Sequence, residues 1–291
     1  MRFANEAAAT AFHALDQCSV EVRPAGRWCW ECVLRNDANT PVTANLREGF
    51  LELAGPAKAI RDRSCALERA LLESNTLAGG AKFALDAAGS SLYVRADIPL
   101  LEETQLLEQV CWAMAGFHCG PSGVESDGSP DADPRTSSSA MKELGELLRE
   151  TSWQATERGP DEFSANLDAD SAPPARIKAN EQGLLFSVEL ARANVAAQVS
   201  RDALTEFLLS AGSIVRMARA HAADVDGQRS FGLEVRLPCT ATAAEIDHAL
   251  AALSVACRMC AREANVLLDE TAARCYLAVR NVSTTHNHEH N

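Results

Sequence analysis

Short stretches of the first 120 residues alternate between apolar and polar positions with a period of two. In the clearest of them, one side of the stretch carries Trp28, Trp30, Cys32 and Leu34. A second stretch restarts the alternation at Val42, after a turn rich in asparagine. Because successive side chains of a strand point to opposite faces, this pattern predicts strands with one buried face.

Segments with helical spacing separate these strands. The pattern predicts helices at 5–15, 62–73 and 102–118, and a β-hairpin with strands at 82–86 and 92–98. Gly89 supplies the conformational freedom that the hairpin turn needs, and Pro99 ends the second strand.

The second half repeats this order of elements. Its predicted strands lie at 177–179, 184–190, 214–219 and 231–237, and its predicted helices lie at 202–210 and 243–273. Apolar positions match between the halves: the leucine pair at 71–72 corresponds to the pair at 208–209, a shift of 137. From the second hairpin strand onward the shift is 139, since Pro99 matches Pro238. We interpret the match as an internal duplication.

A polar segment separates the two halves. Residues 120–139 contain three prolines and almost no apolar side chains, a composition typical of a flexible linker. The sequence therefore predicts a first domain at 1–119, a linker at 120–139, a second domain at 140–280 and a disordered tail at 281–291.

Composition narrows the class of protein. The chain has 291 residues, 47% of them hydrophobic, and a formal net charge of -13. The length and apolar content suffice for two packed cores. Negative charge in both halves argues against nucleic acid or an anionic membrane as partner, because both bind clustered Lys and Arg. With no apolar segment of membrane-spanning length and no signal-peptide pattern, we expect a cytoplasmic protein.

Two Cys-x-x-Cys pairs among the ten cysteines suggest an alternative, a metal-binding or thiol-redox protein. Cys29 and Cys32 lie on a predicted strand, so their side chains point to opposite faces. Cys257 and Cys260 continue the apolar stripe of a predicted helix, where a reduced cysteine packs as a small hydrophobe. Core packing is the interpretation we favour for both pairs, and the alternative stays open.

Other chemical motifs are incomplete. The run at 79–82 resembles a phosphate-binding loop but lacks its first glycine and its Ser or Thr. His248 follows Glu245 at the spacing of di-iron sites, without the second such pair that those sites need. Catalysis by scattered residues therefore stays open without positive support, and we predict no catalytic residue, cofactor or metal site.

One run of the first half has a more specific pattern. It combines Leu-Leu-x-x-Asn, Phe-x-Leu-Asp-x-x-Gly and Leu-Tyr-Val-Arg-x-x-x-Pro, carried by Leu71, Leu72, Asn75, Phe83, Leu85, Asp86, Gly89, Leu92, Tyr93, Val94, Arg95 and Pro99. This run resembles the type III secretion chaperone-like superfamily, which includes the Tir-chaperone and YbjN branches. The resemblance covers residues 1–120, and the second half joins it only through the internal alignment.

The resemblance implies an α+β fold with two chaperone-like domains, each a mostly antiparallel sheet packed with helices. It also implies a non-enzymatic, acidic protein that holds a segment of an unidentified partner protein. Members of this superfamily typically form homodimers. A duplicated chain is therefore expected to be a monomeric pseudo-dimer, with a homodimer as the alternative.

Trp28, Trp30 and Leu34 are the candidate partner-binding residues. The chain has few aromatic residues, and two neighbouring tryptophans offer a large apolar surface. A sheet with an open edge can take up an extended peptide, while apolar pockets select its side chains. The alternative is that these side chains belong to the core.

Overall fold

Two antiparallel β-sheets, one in each half of the chain, are the framework of this α+β protein. The computed structural model describes residues 2–35, 39–56, 58–59, 70–72, 75, 80–85, 91–101, 110, 114, 136–159, 162–167, 173–180, 183–194, 197–225 and 227–286. No described helix is both long enough and apolar enough to cross a membrane.

Among the described residues of the first half, one helix with defined bounds is followed by seven strands. These elements are α1 (Arg2–Cys18), β1 (Ser19–Gly26), β2 (Cys29–Leu34), β3 (Pro41–Arg47), β4 (Phe50–Ala54), β5 (Lys58–Ala59), β6 (Ala81–Leu85) and β7 (Ser91–Pro99). The predicted helices at 62–73 and 102–118 lie mostly outside the described residues. Those of their residues that are described, 70–72, 110 and 114, are helical.

The described part of the second half contains four helices and six strands. They are α2 (Thr136–Glu150), β8 (Ala155–Gly159), β9 (Glu162–Ala165), β10 (Ala175–Asn180), β11 (Gly183–Asn194), α3 (Gln198–Ala211), β12 (Arg219–Val225), β13 (Gln228–Leu237), α4 (Ala243–Val266) and α5 (Glu270–His286).

The two sheets have the same strand order. In the first half the order is β1-β2-β3-β4-β7-β6, and in the second it is β8-β9-β10-β11-β13-β12. The short β5 pairs with the start of β7. Because Leu92 pairs with both β5 and β6, these two strands lie on opposite edges of β7, and β5 continues the edge that β4 occupies.

Helices cover one face of each sheet and close the apolar core. Ala11 and Leu15 of α1 are fully buried in the first half. In the second half, α4 packs against β11 and β13 with a buried stripe spaced three or four residues apart. That spacing places one face of a helix toward the sheet.

The structure corrects two predicted elements. The strand predicted at 214–219 begins only at Arg219, because the preceding residues form a turn after α3 in which Met217 has a φ of +53°. The helix predicted at 243–273 is two helices. Asp269 accepts a hydrogen bond from the backbone nitrogen of Ala272, which is the bond of an N-cap, and so begins α5.

Two domain boundaries also differ from the sequence prediction. α2 begins at Thr136, inside the predicted linker, and α5 continues to His286, inside the predicted disordered tail. The rest of the predicted linker, up to residue 135, lies outside the described residues.

Candidate functional site

The three residues predicted to bind a partner do not form one exposed surface. Trp30 and Leu34 lie on β2 and are buried in the core, with 8% and 0% of their surface exposed. Trp28 is half-buried in the turn between β1 and β2, and the Arg27 guanidinium lies 5.5 Å from its ring centre. Of the three, only Trp28 is open to a partner in this conformation.

The cysteine pairs lie in surroundings that disfavour thiolates. Burial raises the pKa of Cys32 to about 11, that of Cys257 to about 11 and that of Cys260 to about 12. Reactive and metal-binding cysteines need the opposite shift, since the thiolate is the nucleophile and the ligand. Across the described part of the chain, no three His, Cys, Asp or Glu side chains are grouped to hold a metal ion.

Glu245 and His248 have structural roles at the start of α4. The Glu245 carboxylate accepts from the backbone nitrogen of Thr242, and Thr242 Oγ1 accepts from the backbone nitrogen of Glu245. This reciprocal pair is a capping box. The His248 ring packs edge-on against Phe50 of the first half, with ring centres 6.4 Å apart.

An open groove lies on the outer face of the first sheet, over its edge strand β1 and the next two strands, β2 and β3. The groove has a volume of about 280 Å³ and is lined by Glu21, Arg23, Glu31, Val33, Thr43 and Pro56, among others. Among the described strands, β1 pairs only with β2, so its other edge is unpaired. An unpaired strand edge beside a groove is the geometry in which an extended peptide adds to a sheet.

A cluster of buried charges lies on the first-half side of the contact between the halves. Asp97 of β7 is 2.7 Å from Arg95 Nη2 and 3.4 Å from Lys82 Nζ. Arg95 Nη2 also lies 3.0 Å from a Glu52 carboxylate oxygen. All four side chains are largely removed from solvent, and their charges balance as two cations and two anions.

This cluster binds the backbone of the second half directly. Lys82 Nζ donates to the carbonyl oxygens of Val215 and Ala218, and Arg95 Nη1 donates to that of Ser213. Asp97 Oδ2 accepts from the backbone nitrogen of Met217 at 3.1 Å. The turn before β12 is therefore held by side chains of the first half.

The second half contributes a cluster of its own. Arg219 Nε donates to Glu234 Oε1 at 2.9 Å, and Arg236 Nε lies 3.4 Å from the same oxygen. Arg219 also contacts the first half, because its Nη1 donates to the carbonyl oxygen of Ala81 at 3.3 Å. We call the two clusters together the ionic interface: Glu52, Lys82, Arg95 and Asp97 on one side, and Arg219, Glu234 and Arg236 on the other.

Contacts across the ionic interface are reciprocal. Lys82 and Arg219 occupy the same position in their hairpins, since Lys82 pairs with Arg95 and Arg219 pairs with Glu234, the equivalent of Arg95 at the shift of 139. Lys82 donates to the carbonyl of Ala218, the residue before Arg219, and Arg219 donates to the carbonyl of Ala81, the residue before Lys82. Such an exchange, in which i contacts j and j contacts i, characterises a two-fold interface.

Charge compensation explains how these groups remain ionised. Burial alone would raise the pKa of Asp97, but Lys82 and Arg95 outweigh it and hold that pKa below its ordinary value. Burial lowers the pKa of Lys82 to about 8, against the opposing pull of Asp97. At neutral pH Lys82 is therefore a cation, paired with the anion that stabilises it.

The sequence pattern did not identify the ionic interface. Lys82, Arg95 and Asp97 sit at the polar positions of alternating strands, where solvated charges are the usual interpretation. The sequence did contain one signal: in the alignment of the two halves at a shift of 137, Lys82 corresponds to another cation, Arg219. No family model, curated protein or solved structure matches this chain.

Proposed function

We propose that this chain is a non-enzymatic protein-binding module of the secretion-chaperone-like kind, a single-chain pseudo-dimer that holds an extended segment of a partner protein. The observation that carries the proposal is the reciprocal contact of Lys82 with Ala218 and of Arg219 with Ala81. Two halves with the same strand order, joined in this way, resemble two subunits of a dimer.

The groove beside β1 is the proposed site for the partner segment. An extended segment could pair with the open edge of β1 through backbone hydrogen bonds, while its side chains enter the groove. Glu31 supplies negative charge there, Glu21 is paired with Arg23, and Val33 and Pro56 supply apolar surface. The raised pKa values of the buried thiols count against the metal or redox alternative.

Light scattering is expected to give the mass of one chain, 31.2 kDa, at micromolar concentration. The physical reason is that the surface by which such domains would pair is already occupied by the other half. An obligate two-chain dimer would contradict the pseudo-dimer proposal.

Thr43→Trp is expected to reduce the recovery of a protein partner by about tenfold or more, the effect of about 1.4 kcal/mol of binding free energy. The indole would fill the groove that Thr43 lines, and Thr43 is exposed, so folding should be unaffected. The measurement is affinity capture from the native host with quantitative mass spectrometry, alongside circular dichroism and thermal melting.

Arg176→Trp is the matched control. Arg176 holds the register position on β10 that Thr43 holds on β3. Thr43 pairs with Ala54, which pairs with Arg95 of β7, and Arg176 pairs with Ser187, which pairs with Glu234 of β13, the equivalent of Arg95. Arg176→Trp should keep the partner. Equal recovery with both variants would exclude the groove as the site, and the absence of any specific partner of the parent protein would count against a protein-binding function.

A further inference from the structure

His221 lies on β12 beside the ionic interface. Its ring is largely buried, and Nδ1 is shielded from solvent with no hydrogen-bond partner in the described part of the chain. Across the strand pair stands Gly232, whose absent side chain makes room for the ring. A Cβ added to Gly232 would lie 2.7 Å from His221 Cε1.

Charged groups surround this ring on three strands. Glu234 Oε2 of β13 is 3.7 Å from His221 Nδ1. Arg219 of β12, Arg236 of β13 and Glu189 of β11 are the other charges that act on the ring. Glu189 is already engaged by Arg192 and Ser230, and Glu234 by both arginines.

His221 lies within two residues of two contacts that join the halves. Arg219, two residues before His221, donates to Ala81 of the first half. Ala220, the residue directly before His221, accepts a hydrogen bond from Asn75 Nδ2 at 3.0 Å. On the first-half side, Lys82 and Asp97 bind the turn that leads into β12. Any change of charge at His221 therefore acts on the segment through which the second half is held.

We propose that His221 is an acid-sensitive latch: protonation of its ring opens the ionic interface while both halves stay folded. An imidazolium at this position adds a third cation beside Arg219 and Arg236, and it competes with Arg219 for Glu234. Both effects weaken the hold of Arg219 on Ala81. In the closed form, the ionic interface is intact and the His221 ring is neutral. In the open form, the interface is separated and the ring is exposed to water.

The direction of the pH effect follows from the surroundings of the ring. Burial lowers the pKa of His221 below 6.5; Glu234 opposes this shift, and Arg219 and Arg236 add to it. The open form, with an ordinary histidine, binds more protons below pH 6.5 than the closed form does. The closed form is therefore fully favoured above pH 6.5 and loses stability as the pH falls below that value.

Hydrogen–deuterium exchange of the full chain tests the latch. Exchange rates, corrected for their intrinsic pH dependence, should rise by up to about tenfold in segments 81–85 and 213–218 between pH 7.5 and pH 5.5, one pKa unit below 6.5. Segment 183–194, in the middle of the second sheet, should keep its protection. A parallel rise in 183–194 would mean general unfolding and would overturn the proposal.

Two variants of His221 and one control test whether opening at low pH depends on His221 or on other titrating groups. His221→Gln and His221→Asn cannot gain a proton, so both should keep the interface protected at pH 5.5. His13→Gln, on the exposed side of α1, should behave as the parent does. Opening of the His221 variants at pH 5.5 to the same extent as the parent would refute the latch.

A measurement on the unaltered protein does not depend on the folding of a variant. Titration of the ring Cε1 signals of the seven histidines by NMR should show one ring with a midpoint below 6.5, moving over the same pH range as the change in exchange. If all rings titrate at or above 6.5, the latch does not exist.

Discussion

Replacement of Asp97 by alanine is expected to lower the free energy of unfolding by about 3–5 kcal/mol, the usual cost of removing one partner from a buried ion pair. Lys82 and Arg95 would stay buried without their closest anion, and the backbone nitrogen of Met217 would lose its acceptor. Urea unfolding followed by circular dichroism measures the change as a lower midpoint.

Two further variants show whether charge and burial cause this loss. Asp97→Asn keeps the size of the side chain and removes its charge, so most of the loss should remain. Glu270→Ala removes a partner from an exposed pair with Arg274 on α5, where salt bridges contribute little, about 0.5 kcal/mol or less. Similar losses in Asp97→Ala and Glu270→Ala would show that the ionic interface does not hold the halves together.

Gly232→Ala should cost about 3 kcal/mol of unfolding free energy, at the upper end of the usual cost of overpacking. The new Cβ would lie 2.6 Å from the carbonyl oxygen of Val188 and 2.7 Å from His221 Cε1. Because β13 lies between β11 and β12, neither neighbour can move without disturbing the sheet. Urea unfolding again gives the measurement.

Gly159→Ala is the control for this prediction. Gly159 also lies in a strand, but nothing stands within 4 Å of the position that its Cβ would take, so the change should stay within about 0.5 kcal/mol. The double variant Gly232→Ala with His221→Ala should recover only part of the loss, since the contact with Val188 remains. Full recovery would mean that the histidine ring is the sole obstacle.

Period-two alternation predicted most strands of both sheets from sequence alone. The stretch that contains Trp30 is β2, the stretch from Val42 is β3, and the hairpin at 82–98 is β6 and β7, whereas Trp28 lies in the turn before β2. These predictions succeed because one face of each strand packs on the core, which fixes every second residue as apolar. β1, β5, β8 and β9 were not predicted: β8 and β9 carry little alternation, β1 has one buried residue, and β5 is two residues long.

The candidate site was less predictable than the fold. Trp30 and Leu34 looked like binding residues, but a large apolar side chain on an alternating strand has the same pattern whether a core or a partner covers it. Asp97 and Lys82 lie at polar positions of their strands. A charge at such a position has the same pattern whether it is exposed to solvent or buried between the two halves. Which polar face is solvated depends on how the two halves pack, and that information is not contained in the period of a single strand.

Opposite charges at equivalent positions have an evolutionary consequence. The pairing registers match Arg95 with Glu234 and Asp97 with Arg236, so the sign of the charge is reversed at these two positions, whereas the equivalent Lys82 and Arg219 are both cations. When two identical subunits meet, one mutation alters both sides at once, and such a reversal cannot arise. In a fused chain, each copy mutates on its own. Under the proposed duplication, the two halves could diverge as the subunits of a heterodimer do, while one chain would always supply them in a one-to-one ratio.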